Sequence, residues 1–306
     1  MLAFIFPGQG AQHAGMGKEL SDNFAAAREV FEEANDALGF DLAKMCYEGP
    51  DEQLKLTANT QPAILTMSVA ALRVVQQETE LKPNFVAGHS LGEYSALVAA
   101  NALSFADAVK LVRQRGTFMQ QAVPVGSGAM AAILGIEADV LEKICAEASH
   151  GEVVSAANYN SPGQIVIAGN TQAVDRAIKL ATEQGARKAM MLPVSAPFHC
   201  ALMDPAGAQL SQVLSTVSIN QLSTPVVTNV EAVANSDSSK VKELLVTQVS
   251  APVRWDSSVR YMLDNGVTNF IEIGPGRVLC GLIRRIERKA KIANVDDITS
   301  LKALSL

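Results

Sequence analysis

Residues Gly88-His89-Ser90-Leu91-Gly92 read G-x-S-x-G, with a short apolar run, Phe85-Val86-Ala87, ahead of them and a strong helix pattern, Glu93 to Ala100, behind. Strand, glycine-flanked turn, helix is the setting of a nucleophile elbow. It constrains the chain strongly, because a strand must deliver the turn from a sheet and a helix must carry it back, which implies an α/β architecture. The glycines let the backbone bend sharply without Cβ clashes. The serine hydroxyl then stands at a helix start, where free N–H groups and the helix dipole favour negative charge. The pentapeptide also arises by chance in loops rich in Gly and Ser, so an ordinary turn is the competing reading; the flanking strand and helix favour a nucleophile.

At 306 residues, 48% of them apolar, the chain can bury a substantial core and fits two domains or one large domain with an inserted module. Strand-like segments at Leu2–Phe6, Phe85, Pro225–Asn229 and Asn269–Ile273 alternate with helical ones at about 20–38, 61–77, 105–122, 201–214, 241–249, 256–265 and 278–289. The texture changes after Pro124-Val125-Gly126-Ser127-Gly128, a linker signal. From there to residue 195 the order is β-α-β-β-α-β, a ferredoxin-like split βαβ unit. The predicted fold class is therefore α/β, with an α/β-hydrolase-like large domain (1–124 and 196–306) and an inserted ferredoxin-like small domain (125–195).

A net charge of −6 speaks against a general nucleic-acid binder or a protein held on anionic lipid. The four cysteines are widely spaced with no C-x-x-C pair, so neither a zinc site nor a disulfide framework is indicated, and free thiols suit the cytoplasm. The N-terminal MLAFIFPGQG has no basic region and reads as a buried first strand rather than a signal peptide. No stretch is long and apolar enough to span a bilayer.

A serine hydroxyl needs a base to attack at neutral pH. Of the four histidines, His13 lies in a loop, His150 ends a predicted helix, and His89 flanks the serine inside the turn. His199, in Ala196-Pro197-Phe198-His199-Cys200, follows the serine in chain order as bases do in hydrolase-like folds, and is the base by elimination; the competing reading is a helix-start residue with no chemistry. No acid sits where a hydrolase triad would place it, since Asp107, Asp139 and Asp175 all fall on predicted helices. A backbone carbonyl can fix an imidazole tautomer in place of an acid. The turn Gly8-Gln9-Gly10 fails the G-x-G-x-x-G dinucleotide pattern, because the last position is His13. It can instead offer the Gln9 N–H, with the Leu91 N–H, to an oxyanion, each such donor being worth roughly 3 kcal/mol, or be a plain tight turn. Arg115 becomes interesting if the substrate carries a carboxylate, which a guanidinium grips with two parallel bonds. The run Arg284, Arg285, Arg288, Lys289 and Lys291 is either a solvated face or a dock for an acidic partner or phosphates.

Taken together, FPGQG at Phe6 to Gly10, TQPA at Thr60 to Ala63, GHSLGEYSAL at Gly88 to Leu97, RG-x-x-MQ at Arg115 to Gln120, NSPGQ-x-VIAG at Asn160 to Gly169, PFH at Pro197 to His199 and GPG at Gly274 to Gly276 resemble the malonyl-CoA:acyl-carrier-protein transacylases, over nearly the whole chain. The resemblance implies Ser90 as the acylated nucleophile and His199 as its base, with the imidazole oriented by a backbone carbonyl that falls by position on Ser250. It implies an oxyanion hole from the backbones of Gln9 and Leu91, Gln61 lining the site, and Arg115 binding the malonyl carboxylate. Phe198 before the histidine goes with malonyl rather than methylmalonyl preference in related polyketide acyltransferases. The implied reaction is ping-pong transfer of malonyl from malonyl-CoA to the pantetheine thiol of acyl carrier protein in fatty acid biosynthesis. It needs no metal and no resident cofactor. The expected partners are those two substrates, with Arg284 and Arg285 as docking candidates, and the expected state is a cytoplasmic monomer that binds neither nucleic acid nor membrane. The alternatives are a serine esterase or thioesterase, a polyketide loading enzyme, and a non-catalytic binding module.

Overall fold

The computed structural model describes residues 1–194 and 196–304. Residue 195, the predicted edge of the inserted module, and residues 305–306, the end of the predicted large domain, lie outside the described residues.

Ten strands form two sheets among these residues. In chain order they are β1 (Leu2–Phe6), β2 (Phe85–Gly88), β3 (Gly128–Leu134), β4 (Val154–Ser161), β5 (Gln164–Asn170), β6 (Lys188–Met191), β7 (Val226–Val227), β8 (Ala234–Asn235), β9 (Asn269–Ile273) and β10 (Lys291–Val295). The larger sheet has the order β10-β9-β1-β2-β7-β8 and is parallel except for the β7–β8 pair. Its central strands are nearly continuous apolar runs, LAFIF and FVAG, because helices cover both faces. The helix Thr57–Glu78 is buried on almost every side and fills one layer.

The smaller sheet is antiparallel with the order β4-β5-β3-β6, and the helices Ala138–Ser149 and Thr171–Glu183 pack against it around a core of their own. That is the ferredoxin-like arrangement. The two parts are sewn together by backbone: Val253, from the larger part, donates to the Ala157 carbonyl and accepts from Tyr159 N–H, extending the β4 edge by one residue.

The structure departs from the sequence reading at element ends. The segment predicted as a strand over Pro225–Asn229 keeps only Val226–Val227 in the ladder, because Asn229 leaves it to bond beneath the serine turn. The helix predicted over 278–289 stops at Ile286, where Glu287 turns extended, and Lys291 opens the unanticipated edge strand β10. The basic run therefore belongs to two elements, not one helical face.

Candidate active site

β2 ends at Gly88 and the helix Gly92–Ala99 begins two residues after Ser90. Ser90 has φ 50°, in the left-handed region, a conformation that costs on the order of 1–3 kcal/mol and persists only where its surroundings impose it. Here they do. Ser90 N–H donates to Asn229 Oδ1 at 2.6 Å, Asn229 Nδ2 donates to the Gly88 carbonyl at 2.7 Å, and His89 N–H donates to the Phe6 carbonyl at 3.1 Å. Gly88 and Gly92 meet backbone to backbone, so a Cβ on Gly88 would overlap the Gly92 carbonyl group.

His199 stands in the turn after Pro197, with φ 60° and almost no exposure. Its Nε2 lies 2.7 Å from Ser90 Oγ and its Nδ1 2.9 Å from the Gln248 carbonyl oxygen. A carbonyl only accepts, so Nδ1 carries the proton and the Nε2 lone pair faces the serine. Burial, then the positive charge of Arg115, push His199 down to about 3. The imidazole is thus neutral at physiological pH, as a base must be. The orienting carbonyl expected on Ser250 is instead that of Gln248. The helix Val241–Ser250 leaves its last carbonyls without partners inside the helix; Ala251 N–H takes that of Thr247, and the next one along, Gln248, turns to the imidazole.

Arg115 comes from the helix Phe105–Gln121 and is only 1% exposed. Gly116 beside it lets that helix close on the start of Thr57–Glu78, since a Cβ there would stand 2.6 Å from the Thr57 carbonyl oxygen. The close approach brings Arg115 Nη1 to Gln61 Oε1 at 2.8 Å. Its Nη2 donates to Ser90 Oγ at 3.1 Å and to Gln248 Oε1 at 3.0 Å, and the guanidinium lies 5.4 Å from the centre of the Tyr94 ring. Among the described residues no carboxylate forms an ion pair with it, and its Nε has no hydrogen-bond partner. Its direct hydrogen-bond partners are all neutral oxygens, and the Glu93 carboxyl acts on it only from beyond ion-pair distance; a cation so buried is costly, and an incoming anion relieves that cost.

Leu91 is the N-cap of the elbow helix, where no intrahelical carbonyl can accept its N–H. Gln9 follows β1 and, with Leu91, lines a cleft of about 950 Å³, open mouth included, whose far wall is formed by β4, β5 and Leu192 of the smaller part and by Val278, Leu279 and Leu282. Ser90 and Arg115 face the same cleft. Arg284 and Arg285 are exposed, and Arg285 donates at 3.1 Å to Gln164, which stands on the cleft wall. His13 and His150 are exposed and outside the cleft lining. His89 Nε2 is engaged with Asn160 Oδ1 at 2.8 Å.

Three buried residues were not foreseen as part of the site. Glu93 Oε2 accepts from Asn229 N–H at 3.0 Å and from Gln248 Nε2 at 2.8 Å, and burial raises its pKa to about 7. Gln248 Nε2 also donates to the Ser90 carbonyl at 3.0 Å. Their signal in the sequence was faint: one acid in an otherwise uncharged helix, GEYSALVA, and single amides ending a strand-like segment and a helix.

The chain matches the family described as the acyl transferase domain over residues 3–302. It is 49% identical to the malonyl CoA-acyl carrier protein transacylase of Bacillus subtilis (strain 168), covering 97% of this chain and 93% of that protein. Among solved structures it resembles an acyl carrier protein S-malonyltransferase from Vibrio cholerae, with TM-score 0.97, 49% identity and 99% of both chains covered. It is likewise similar to a malonyl-transacylase in complex with its type II polyketide synthase acyl carrier protein, with TM-score 0.97, 44% identity and coverage of 99% of this chain and 98% of that one.

Proposed function

Because this chain belongs to the acyl transferase domain family, among its malonyl-CoA:acyl-carrier-protein transacylases, we propose that it moves a malonyl group from coenzyme A to the pantetheine thiol of acyl carrier protein, in fatty acid biosynthesis. The observation that carries the substrate assignment is Arg115: a buried guanidinium with no carboxylate partner among the described residues, 3.1 Å from the serine oxygen that takes up the acyl group.

Ser90 Oγ attacks the thioester carbon while His199 Nε2 takes its proton. The N–H groups of Gln9 and Leu91 receive the oxyanion. As the C–S bond breaks, His199 returns the proton to the coenzyme A sulfur, leaving malonyl-Ser90. The carrier thiol then gives its proton to His199, attacks the ester, and the imidazole reprotonates Ser90. Arg115, braced by Gln61, holds the malonyl carboxylate. In this reading the reaction draws on these side chains and backbone groups, and the pantetheine arm arrives with the carrier. Arg285, which reaches Gln164 on the cleft wall, and the neighbouring exposed Arg284 serve the acidic partner. The four cysteines are free and buried, in keeping with a reducing cytoplasm, and among the described residues no helix is long and apolar enough to cross a membrane.

A carbonyl stabilises an imidazolium less than a carboxylate does, which fits exchange between thioester and thiol better than ester hydrolysis. Intact-mass measurement after incubation with malonyl-CoA or acetyl-CoA tests the reading. A stable malonyl adduct formed in preference to an acetyl one supports it, and free malonate as the main product supports a thioesterase instead.

A further inference from the structure

Glu93 is the sole charged residue of its helix, and it is 2% exposed. Burying a carboxyl is expensive unless its bonds are used. Its Oε2 reaches two residues, Gln248 and Asn229, which between them hold the whole reacting centre. Asn229 Oδ1 takes the Ser90 N–H. Gln248 takes the His199 Nδ1–H on its backbone carbonyl and the Arg115 Nη2–H on its side-chain oxygen, and it donates to the Ser90 carbonyl. Glu93 therefore adjoins the residues that fix nucleophile, base and guanidinium.

The terminal torsion of a glutamine is broad and close to two-fold, so its amide can turn over. In the arrangement seen, Nε2 faces two acceptors, Glu93 and the Ser90 carbonyl, while Oε1 faces the donor Arg115. Turned over, it would set donor against donor at Arg115 and oxygen against oxygen at Glu93. We propose that Glu93 is a positioning residue for acyl selection: by fixing the Gln248 amide it keeps the Arg115 guanidinium beside Ser90, where a carboxylate-tipped acyl group is received. The proposal rests on the malonyl-transfer reading. The base is held by the Gln248 backbone, which a loosened side chain disturbs less than it disturbs Arg115. Loss of Glu93 function therefore falls on malonyl more than on an uncharged acyl group.

The test compares Glu93→Gln with Glu93→Asp. Glutamine keeps the reach and an acceptor oxygen but drops the charge; aspartate keeps the charge but draws the acceptor back by roughly 1.5 Å. The kcat/KM for Ser90 acylation is measured with malonyl-CoA and with acetyl-CoA. Displacements of this size cost up to about 100-fold in rate. The expected result is that Glu93→Asp lowers the malonyl-to-acetyl ratio about tenfold or more, while Glu93→Gln stays within about threefold of wild type. A ratio unmoved in both variants, moved equally in both, or moved more by glutamine overturns the proposal. Wild-type enzyme that takes no malonyl would instead overturn the malonyl reading itself, so the two failures are told apart.

Discussion

Arg115 Nη2 and His199 Nε2 meet the same atom, Ser90 Oγ, at 3.1 and 2.7 Å. One partner can remove the proton of that hydroxyl, and the other can bind an anion next to it. An acyl group esterified to Oγ therefore starts beside the guanidinium, and a carboxylate one methylene beyond the ester carbonyl is within its reach.

Removing the cation should separate the two kinds of acyl group. Arg115→Ala is expected to weaken malonyl transfer by about 2–5 kcal/mol, the scale on which one partner of a desolvated charge pair is lost. Acetyl transfer should suffer far less. Arg115→Lys should recover little, since an ammonium cannot reproduce the planar fork that contacts Gln61, Ser90 and Gln248 together. Steady-state kinetics with both thioesters decide the matter, and equal losses would count against a carboxylate clamp.

Ser90→Ala should leave no covalent malonyl-enzyme in an intact-mass spectrum. An adduct persisting on that variant would move the nucleophile elsewhere.

Asn229 should matter to both folding and rate. In Asn229→Leu the Ser90 N–H and the Gly88 carbonyl lose their partners, at about 1–3 kcal/mol for each buried group left unsatisfied. The strained φ of Ser90 would also lose its brace. Urea unfolding should show the destabilisation and single-turnover acylation the slowing; wild-type acylation in the folded variant would contradict the bracing role.

Two buried titrations pull stability in opposite directions. Glu93 protonates at about 7 when folded against an ordinary 4.5, so the folded chain binds more protons in that window. Its contribution is full below about 4.5 and lost as pH rises through 7. His199 falls from 6.5 to about 3, so its contribution is full above about 6.5 and lost as pH falls toward 3. Urea unfolding of Glu93→Gln against wild type should therefore shift in favour of the variant between pH 5 and 8, by at most on the order of 3 kcal/mol. A pH-independent difference would refute this. The acylation rate should likewise show no histidine titration near pH 6.5.

Reversing Arg284 and Arg285 to Glu should raise the KM for carrier protein. An unchanged KM would remove these two residues from the docking surface.

The parts of the site legible in the sequence were those fixed by local rules. The elbow could be read because a strand, two glycines and a helix start are short-range features, and the six alternating elements of the smaller part carry their order on their surface. Arg115 and Gln61 came from motif likeness, and only the structure reveals Gly116 as the reason their helices touch. The bracing layer of Glu93, Asn229 and Gln248 was hidden because its members stand up to 155 residues apart and have no periodic signature. The Ser250 expectation missed by two positions for a related reason: which of the last carbonyls of a helix turns outward depends on how the chain leaves it. β10 was missed because its first residue is a lysine on a sheet edge, where charge is ordinary.

The one-residue splice at Val253 also bears on how the chain can be divided. Cut away on its own, the four-stranded unit would bare the flank of β4 that Val253 now occupies, and unpaired flanks recruit neighbours. An isolated fragment of that unit should self-associate, as a concentration-dependent mass in sedimentation would show, because the residue that covers its flank belongs to the other part of the chain.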